Sequence, residues 1–169
     1  MEIRQAASQD VEAVQRVAER SWEQDYPDIL SRESVVEGVH EWYSEERLHD
    51  ELGRADAAVL VADRQGEVVG FAHAAWADGA DGPSREGDVL RVYVDPDYRG
   101  KAIGSALLET AVATLFERDI ERIRAMVLAE NDPGKAFYRS HGFEREEGSS
   151  ETQIAGERYE EHSYVLARG

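Results

Sequence analysis

A short segment in the middle of the chain combines residue types that can bind a phosphate. Residues 99–105 read Arg-Gly-Lys-Ala-Ile-Gly-Ser and stand between a β-rich run and an apolar pattern of helical period. Unpaired backbone N–H groups and the helix dipole both attract an anion to a helix N-terminus. Arg99 and Lys101 add positive charge in an otherwise acidic chain, which favours a phosphate ligand. The alternatives are a plain tight turn and two solvent-exposed basic side chains.

The spacing within this segment excludes the two best-known phosphate loops. It lacks the G-x-x-x-x-G-K-[ST] pattern of the P-loop and the G-x-G-x-x-G pattern of dinucleotide-binding folds. What the segment binds therefore depends on the elements that position it.

The apolar pattern around the segment predicts a strand, a helix and a second strand. Residues 89–94 form a β-rich run, residues 103–115 carry apolar side chains at helical spacing, and residues 123–128 form another β-rich run. Two strands joined through a helix run parallel, with a right-handed crossover. The sequence therefore predicts a central parallel β-α-β unit.

Antiparallel elements and helices precede this unit. We expect an opening strand near residues 3–6 and a helix capped by Ser8. One further helix is expected over residues 34–52, where Ser34-Val-Val-Glu37 resembles a capping box. Residues 57–76 predict a hairpin with its turn at Gln65-Gly66.

The remaining segments complete the expected fold. Residues 78–87, rich in Gly, Asp and Pro, predict a loop, and a helix capped by Asp132 precedes two closing strands, the last near residues 159–167. The fold class is therefore α+β (mixed α/β), with a mixed, mostly antiparallel sheet of about seven strands and about four helices. We expect a single domain over residues 1–169.

The composition restricts the classes of function. With 19 basic and 36 acidic side chains the net charge is −17, which argues against a protein that binds nucleic acid or a membrane surface. Cysteine is absent, which excludes disulfides and a cysteine nucleophile. No apolar run approaches the roughly 18 residues of a membrane span. No signal-peptide pattern follows Met1, so we expect a cytoplasmic protein.

The basic residues of this acidic chain are almost all arginines. Two of the 19 basic residues are lysines and the others are arginines. This bias, with the large acidic excess, predicts a halophilic protein from a salt-rich cytoplasm, where salt screens the repulsion. The alternative is an ordinary acidic protein kept soluble by its charge.

Two motifs resemble the GNAT superfamily of acyl-CoA-dependent N-acetyltransferases. Residues 92–108 read Val-Tyr-Val-Asp-Pro-Asp-Tyr-Arg-Gly-Lys-Ala-Ile-Gly-Ser-Ala-Leu-Leu and are similar to the family's pyrophosphate loop, Q/R-x-x-G-x-G/A, with Arg99 in its first position. Asn131 and residues 136–143, Ala-Phe-Tyr-Arg-Ser-His-Gly-Phe, resemble the segment that carries an Asn and a Tyr near the cofactor thiol. The resemblance covers nearly the whole chain and implies a GNAT-like fold.

Ala102 departs from the family pattern, which usually has a glycine at this position. A methyl group is tolerable there only if the residue has a helical, negative φ.

The resemblance otherwise implies coenzyme A binding, with small residues that let the pyrophosphate approach the backbone and a pantetheine arm that pairs with the strand. The implied cofactor-binding residues are Val92, Tyr93, Val94, Arg99, Gly100, Lys101, Ala102, Ile103, Gly104, Ser105, Asn131 and Tyr138.

The resemblance also implies the roles of individual groups. The Val94 N–H would polarise the thioester carbonyl, and Asn131 would hold the pantetheine. Tyr138 would protonate the departing thiolate, a task that suits a phenol with a pKa of about 10. Packing for Tyr138 and a turn role for Asn131 are the alternatives.

The attacking amine needs a base or a water path, because it must be neutral to react. Asp88 stands where several family members carry a glutamate that resembles a general base, and we expect it on the same strand face as Val92 and Val94. The alternative for Asp88 is a solvated loop carboxylate without a catalytic role. Other candidate bases are Glu86, expected in the adjoining loop, and His73, which is otherwise an ordinary half-buried histidine.

Aromatic residues near the chain start fall where the family builds its acceptor pocket. Tyr26, beside Pro27, is the predicted substrate-binding residue. Core packing explains the others equally well: Trp22, Trp42 and Tyr43.

The resemblance therefore implies an N-acetyltransferase with acetyl-CoA as co-substrate and no metal. It would transfer the acetyl group to a primary amine, on a small molecule or a protein, by direct attack on the thioester. The first alternative is a non-catalytic acyl-CoA-binding sensor or regulatory module on the same fold, and the second is a protein that binds a phosphate ligand without thioester chemistry. Whether the protein forms a homodimer stays open.

Overall fold

The computed structural model describes residues 1–76 and 86–168. Within these ranges, eight strands and five α-helices follow one another with two short 3₁₀ turns, at Ser8–Asp10 and Pro96–Tyr98. In chain order the elements are β1 Glu2–Gln5, α1 Val11–Asp25, α2 Arg32–Trp42, α3 Glu45–Leu52, β2 Ala57–Arg64, β3 Glu67–Trp76, β4 Glu86–Val94, α4 Ile103–Phe116, β5 Arg122–Leu128, α5 Asp132–Ser140, β6 Glu144–Arg145, β7 Ser150–Ile154 and β8 Glu157–Ala167.

The strands form one mixed sheet in the order β1-β2-β3-β4-β5-β8-β6, with β7 paired to β8. Neighbouring strands are antiparallel except for β4 and β5. These two strands precede and follow α4 in the chain and run parallel. The predicted α+β class and its central β-α-β unit are confirmed. The expected numbers of strands and helices are each one too low.

The parallel pair is short, and this creates the central opening of the fold. Its register runs from Glu86–Arg122 to Val89–Ala125, and none of the remaining residues of β4 has a register partner on β5 among the described residues. The hydrogen-bonding edge of β4 beyond Val89 is therefore free on the β5 side.

Helices cover both faces of the sheet. The apolar stripe of α4 is buried on one face, as its spacing predicts, together with Ala125, Tyr138 and Phe143. Helices α1, α2 and α3 pack on the other face around Trp22, Tyr43 and Phe71. The two faces therefore have separate cores, and the free edge of β4 lies between them. No helix in the described part of the chain is long and apolar enough to cross a membrane.

Residues 34–52 form two helices rather than the single one predicted. Ser31 caps α2, since its Oγ accepts from the Ser34 N–H at 3.1 Å, so the predicted capping box at Ser34 is wrong. Ser44 then caps α3 by accepting from the Arg47 N–H at 3.2 Å. The hydroxyl of each serine accepts a hydrogen bond from the backbone N–H three residues later. This cap allows a new helix to start immediately after the serine.

Two other predicted helix caps are also displaced. Ser8 lies in the 3₁₀ turn, where Asp10 Oδ2 accepts from the Ala7 N–H at 2.7 Å, and α1 follows. Asn131, not Asp132, caps α5 through its Oδ1, which accepts from the Gly134 N–H at 3.1 Å. The patterns located these helices correctly, but several polar residues compete at each start.

Two further segments differ from expectation. Glu86 and Gly87 belong to β4 rather than to the predicted loop, while residues 78–85 lie outside the described residues. Three strands follow α5 instead of two, because β6 is a two-residue strand that pairs with β8.

Candidate active site

A cavity of about 700 Å³ opens where β4 and β5 diverge. Its size falls within the range of small-molecule sites. Twelve of the predicted site residues line it: Tyr26, Val92, Tyr93, Val94, Arg99, Gly100, Ala102, Ile103, Gly104, Ser105, Asn131 and Tyr138. Lys101 and Asp88, although both are described, are not among its lining residues.

The start of α4 presents unpaired backbone donors to this cavity. In the described part of the chain, nothing accepts a hydrogen bond from the N–H groups of Ile103, Gly104 and Ser105, and no side chain caps the helix. The helix has 14 residues, so its dipole adds to the positive potential at this end. This helix terminus can therefore bind an anion in the way the sequence predicts.

Ala102 immediately precedes α4 in a left-handed conformation, with φ +60° and ψ +20°. The condition under which a methyl group is unstrained at this position, a negative φ, is therefore not met. Gly100, two residues earlier, also has a positive φ of 79°. The loop keeps the backbone shape of a glycine-rich turn with an alanine at its second bend, at a cost of roughly 1–2 kcal/mol.

Replacing Ala102 by glycine is therefore expected to stabilise the fold by up to about 1 kcal/mol. Relief of the left-handed strain outweighs the roughly 0.4–1 kcal/mol of extra chain entropy that glycine gives the unfolded state. Affinity for coenzyme A, the ligand that the resemblance implies, should stay within about tenfold, because the alanine already holds the left-handed turn that glycine would adopt. Urea unfolding and calorimetry measure the two quantities.

The matched control is Ala113→Gly, at an exposed position inside α4. Glycine there should destabilise the protein by about 1 kcal/mol. Equal losses of stability in both variants would contradict a strained Ala102.

Arg99 holds the loop against the end of α1. Its guanidinium pairs with both carboxylate oxygens of Asp25, at 2.5 and 2.8 Å, and donates to the Val94 carbonyl at 3.3 Å. Lys101 is exposed. The predicted basic pair therefore separates into one positioned arginine at the cavity and one solvated lysine.

Asn131 is the turn residue that starts α5, and it also lies at the cavity. Its Oδ1 caps α5, while the side chain also lines the cavity. A Cβ on Gly134 would lie 2.5 Å from Asn131 Nδ2, so glycine is what lets the amide fold over the turn. Within residues 1–76 and 86–168, nothing accepts a hydrogen bond from Asn131 Nδ2, which leaves this donor available to a ligand.

Tyr138 places a buried phenol at the cavity. Its ring packs edge-on against Phe137 and Phe143, each with a centroid distance of 5.3 Å. The side chain is 8% exposed, and its hydroxyl has no hydrogen-bond partner among the described residues. Burial, with a smaller contribution from Tyr93, raises the pKa of Tyr138 above its ordinary value, so the phenol stays protonated well beyond neutral pH. It can therefore donate a proton into the cavity.

Aromatic side chains form the opposite wall. The Tyr26 hydroxyl lies 3.1 Å from that of Tyr93, and its ring packs edge-on against Trp22 at 5.2 Å. Trp22 and Trp42 also line the cavity, whereas Tyr43 is buried in the core beside them. Three of the four aromatic residues considered for the acceptor pocket therefore line the cavity, and the fourth, Tyr43, lies in the core beside it.

A β-bulge at Leu90 changes the face on which Asp88 lies. Ala74 pairs with Val89 and His73 with Arg91, so Leu90 is the extra residue. Val89 therefore packs on the α4 face with Val92 and Val94, and Asp88, one residue earlier, points to the opposite face. The expectation that Asp88 shares a face with the two valines is wrong.

Asp88 is half-buried beside charged neighbours. Burial raises the pKa of its carboxyl, Arg124 across the parallel pair lowers it, and Glu86 raises it slightly. Glu86 itself is held by Arg122 at 3.2 Å and Arg124 at 3.4 Å. The raised pKa makes the Asp88 carboxylate a stronger base than that of an exposed aspartate, although Asp88 does not itself line the cavity.

His73 is buried in an ionic network rather than half-buried as expected. Its Nδ1 lies 3.1 Å from the guanidinium of Arg91, which pairs with Glu51 at 3.2 Å. Burial, and next the charge of Arg91, lower the pKa of His73 to about 3. The imidazole is neutral at physiological pH and does not line the cavity.

This depressed pKa predicts an acid-dependent loss of stability. The unfolded chain binds a proton at His73 below about pH 6.5 and the folded chain does not, so stability falls as pH drops from about 6.5 towards 3, by about 1.4 kcal/mol per pH unit. In His73→Gln the free energy of unfolding should depend less steeply on pH between 4 and 6. Denaturant titrations at each pH measure this slope.

The control is His40→Gln, where the side chain is exposed on α2. This variant tests whether any exchange of histidine for glutamine alters the slope, or only the one at the buried position. A His73→Gln protein with the wild-type slope would show that His73 titrates when folded.

Sequence reasoning missed Glu161, which lines the cavity from β8. Among 36 acidic residues it carries no local signal. Its position depends on the pairing of β8 with both β7 and β5, and its partner on β5, Leu128, lies 33 residues earlier in the chain.

The assembled groups favour one kind of ligand. The terminus of α4 can bind an anion, the free edge of β4 can pair with an extended chain, and Tyr138 can protonate a group between them. In the described ranges, no three His, Asp or Glu side chains are close enough together to hold a metal ion.

Comparisons with known proteins agree with this arrangement. The model of the acetyltransferase (GNAT) family matches residues 13–143. A spermidine N(1)-acetyltransferase of Thermoplasma acidophilum is 30% identical over 164 residues, which cover 95% of this chain and 98% of the relative. The crystal structure of the PaiA N-acetyltransferase from that organism, in complex with coenzyme A, has a TM-score of 0.84 at 27% identity and covers 99% of this chain and 98% of its own. A ribosomal-protein-alanine N-acetyltransferase from Brucella melitensis has a TM-score of 0.72 at 27% identity, over 99% and 100% of the two chains.

Proposed function

Because the chain belongs to the acetyltransferase (GNAT) family, with acetyl-CoA as co-substrate, we propose that it transfers the acetyl group directly to a primary amine of its acceptor. The observation that carries this proposal is the unpaired hydroxyl of Tyr138. It lies in the same cavity as the anion-binding end of α4 and the free edge of β4. A protein that only binds the coenzyme needs no proton donor there.

The backbone supports the proposed cofactor site. The N–H groups of Ile103, Gly104 and Ser105 would hold the pyrophosphate. The Asp95 N–H donates to Val69 on β3, so by the alternation of a strand the Val94 N–H points to the open side of β4. There it would pair with the pantetheine arm or polarise the thioester carbonyl.

The residues divide the proton transfers between them. Bound acetyl-CoA supplies the activated acetyl thioester. Tyr138 would donate its proton to the departing sulfur, and Asp88 would accept the proton of the amine through water, since it does not itself line the cavity. The bulge supports this role, because it turns Asp88 to the sheet face of Arg91 and Tyr93, which line the acceptor side.

An amine panel tests the proposal. The release of free thiol from acetyl-CoA would be followed with polyamines, aminoglycosides and peptide N-termini, at low and at molar potassium chloride. Thiol release that depends on one class of amine supports the enzyme. Tight binding of acetyl-CoA without thiol release across the panel would favour the sensor.

The charge composition supports a separate proposal, that the protein is adapted to high salt. A net charge of −17 on 169 residues makes the compact state repel itself, and salt removes this repulsion. The melting temperature should rise from millimolar to molar potassium chloride, as measured by thermal unfolding. A flat or falling curve would contradict the proposal and leave the enzymatic one unaffected.

A further inference from the structure

The charges that line the cavity are paired, with one exception. Four lining residues are charged: Asp25, Arg91, Arg99 and Glu161. Asp25 pairs with Arg99 at 2.5 Å, and Arg91 pairs with Glu51 at 3.2 Å. Among the residues that the structure describes, Glu161 has no hydrogen-bond or ion-pair partner. It is the free charge of the cavity lining.

Glu161 is fixed in position by the sheet. It lies on β8 opposite Leu128 of β5 and Ser150 of β7, so its backbone is paired on both sides. The side chain is half-buried, and burial raises the pKa of its carboxyl. An unpaired carboxylate in such a place costs free energy, which a cationic ligand would recover.

An apolar surface connects Glu161 with the free edge of β4. In the sheet, β5 lies between β4 and β8. Met126 on β5 and Leu90 on β4 line the cavity and are 38% and 46% exposed, unusually high for large apolar side chains in this protein. An alkyl chain lying over them would reach from the transfer site towards Glu161.

We propose that Glu161 binds a second cationic group of the acceptor, so that the preferred substrate is an amine carrying a further ammonium or guanidinium group along an alkyl chain. This inference rests on the proposed acetyl transfer to an amine. Glu161 is a poor partner for the attacking nitrogen itself, because a carboxylate in direct contact would hold that nitrogen in its protonated, unreactive form. It is therefore a specificity-determining residue, not the base.

Matched amines and one substitution test the proposal. Each linear diamine would be paired with the amino alcohol of the same chain length, which replaces the second ammonium by a neutral hydroxyl. In the wild type, kcat/KM for the diamine should exceed that for the amino alcohol by about tenfold to a hundredfold. In Glu161→Gln this preference should disappear through a higher KM, while the amino alcohol is used as before.

Glu160→Gln is the matched control. It removes the same charge one residue away on β8, where the side chain is 58% exposed and does not line the cavity. The preference for diamines should survive in this variant. Its loss there would assign the preference to the overall negative charge and overturn the role of Glu161.

A binding measurement separates this inference from the proposed function. Calorimetry on the coenzyme A complex gives the affinity for each diamine and amino alcohol without any turnover. Selective binding of diamines that depends on Glu161, without acetylation, would contradict the proposed function alone. Acetylation with equal use of both amines, or an equal fall for both in Glu161→Gln, would overturn the inference alone.

Discussion

Tyr138→Phe should lower turnover by about 10²–10⁴-fold, the usual contribution of a positioned acid, with coenzyme A affinity almost unchanged. The substitution removes one oxygen and keeps the ring, which packs between Phe137 and Phe143. A loss near the lower end is expected, because a thiolate leaves partly unassisted. Steady-state kinetics and calorimetry measure the two effects.

The pH profile adds a second readout for Tyr138. Since burial raises the pKa of this phenol above its ordinary value of about 10, its proton is available throughout the neutral and mildly alkaline range. Any fall in kcat caused by its ionisation should begin above about pH 10 in the wild type and be absent in Tyr138→Phe. The rate of the variant should depend on solvent as the proton donor.

Tyr164→Phe is the control for Tyr138. The Tyr164 hydroxyl is also buried without a hydrogen-bond partner in the described chain, but it does not line the cavity. Its removal should leave turnover as it is. Full activity in Tyr138→Phe would show that water protonates the thiolate, and equal losses in both variants would indicate a packing effect.

The parts of the site that the sequence predicted are those encoded by neighbouring residues. The glycine-bearing loop, the helix of α4 and the turn at Asn131 each depend on a few consecutive residues whose backbone preferences are local. The central β-α-β unit and the other elements followed from apolar periodicity and turn residues, and their order also matches the family. For this reason most of the predicted cofactor-binding residues line one cavity.

The wrong predictions have two main physical causes, the register between strands and the competition between polar residues to cap a helix. The bulge at Leu90 reverses the face of Asp88, and it arises from the pairing of β4 with β3, which no local pattern records. Ser44 divides a continuous apolar pattern into two helices because its side chain supplies a cap. Ala102 keeps a left-handed φ in spite of its methyl group because the loop around it requires that turn.

Glu161 shows the limit of such reasoning most clearly. It differs from the other acidic residues because it lies half-buried at a cavity and has no basic partner among the described residues. That environment is formed by three strands, β5, β7 and β8. These strand pairings depend on the whole fold, so no short segment of the sequence indicates them.

Gly104→Val should weaken coenzyme A binding by about a hundredfold or more, equivalent to about 2.7 kcal/mol. A Cβ at Gly104 would lie 3.5 Å from Phe137 and 3.6 Å from Val94, which are ordinary contacts, so the fold should accept it. The further methyl groups of valine would then occupy the space in front of the N–H groups that we assign to the pyrophosphate. Calorimetry gives the affinity and thermal unfolding confirms the fold.

A graded series makes the Gly104 result specific. Gly104→Ala adds only the Cβ and should lose less affinity than Gly104→Val, whereas Ala106→Val places the same side chain on α4 away from the cavity lining and should bind as the wild type does. Since the donors at this helix start belong to the backbone, no side-chain deletion can remove them, and steric exclusion is the direct way to test them. A folded Gly104→Val protein with wild-type affinity would place the pyrophosphate somewhere other than the start of α4.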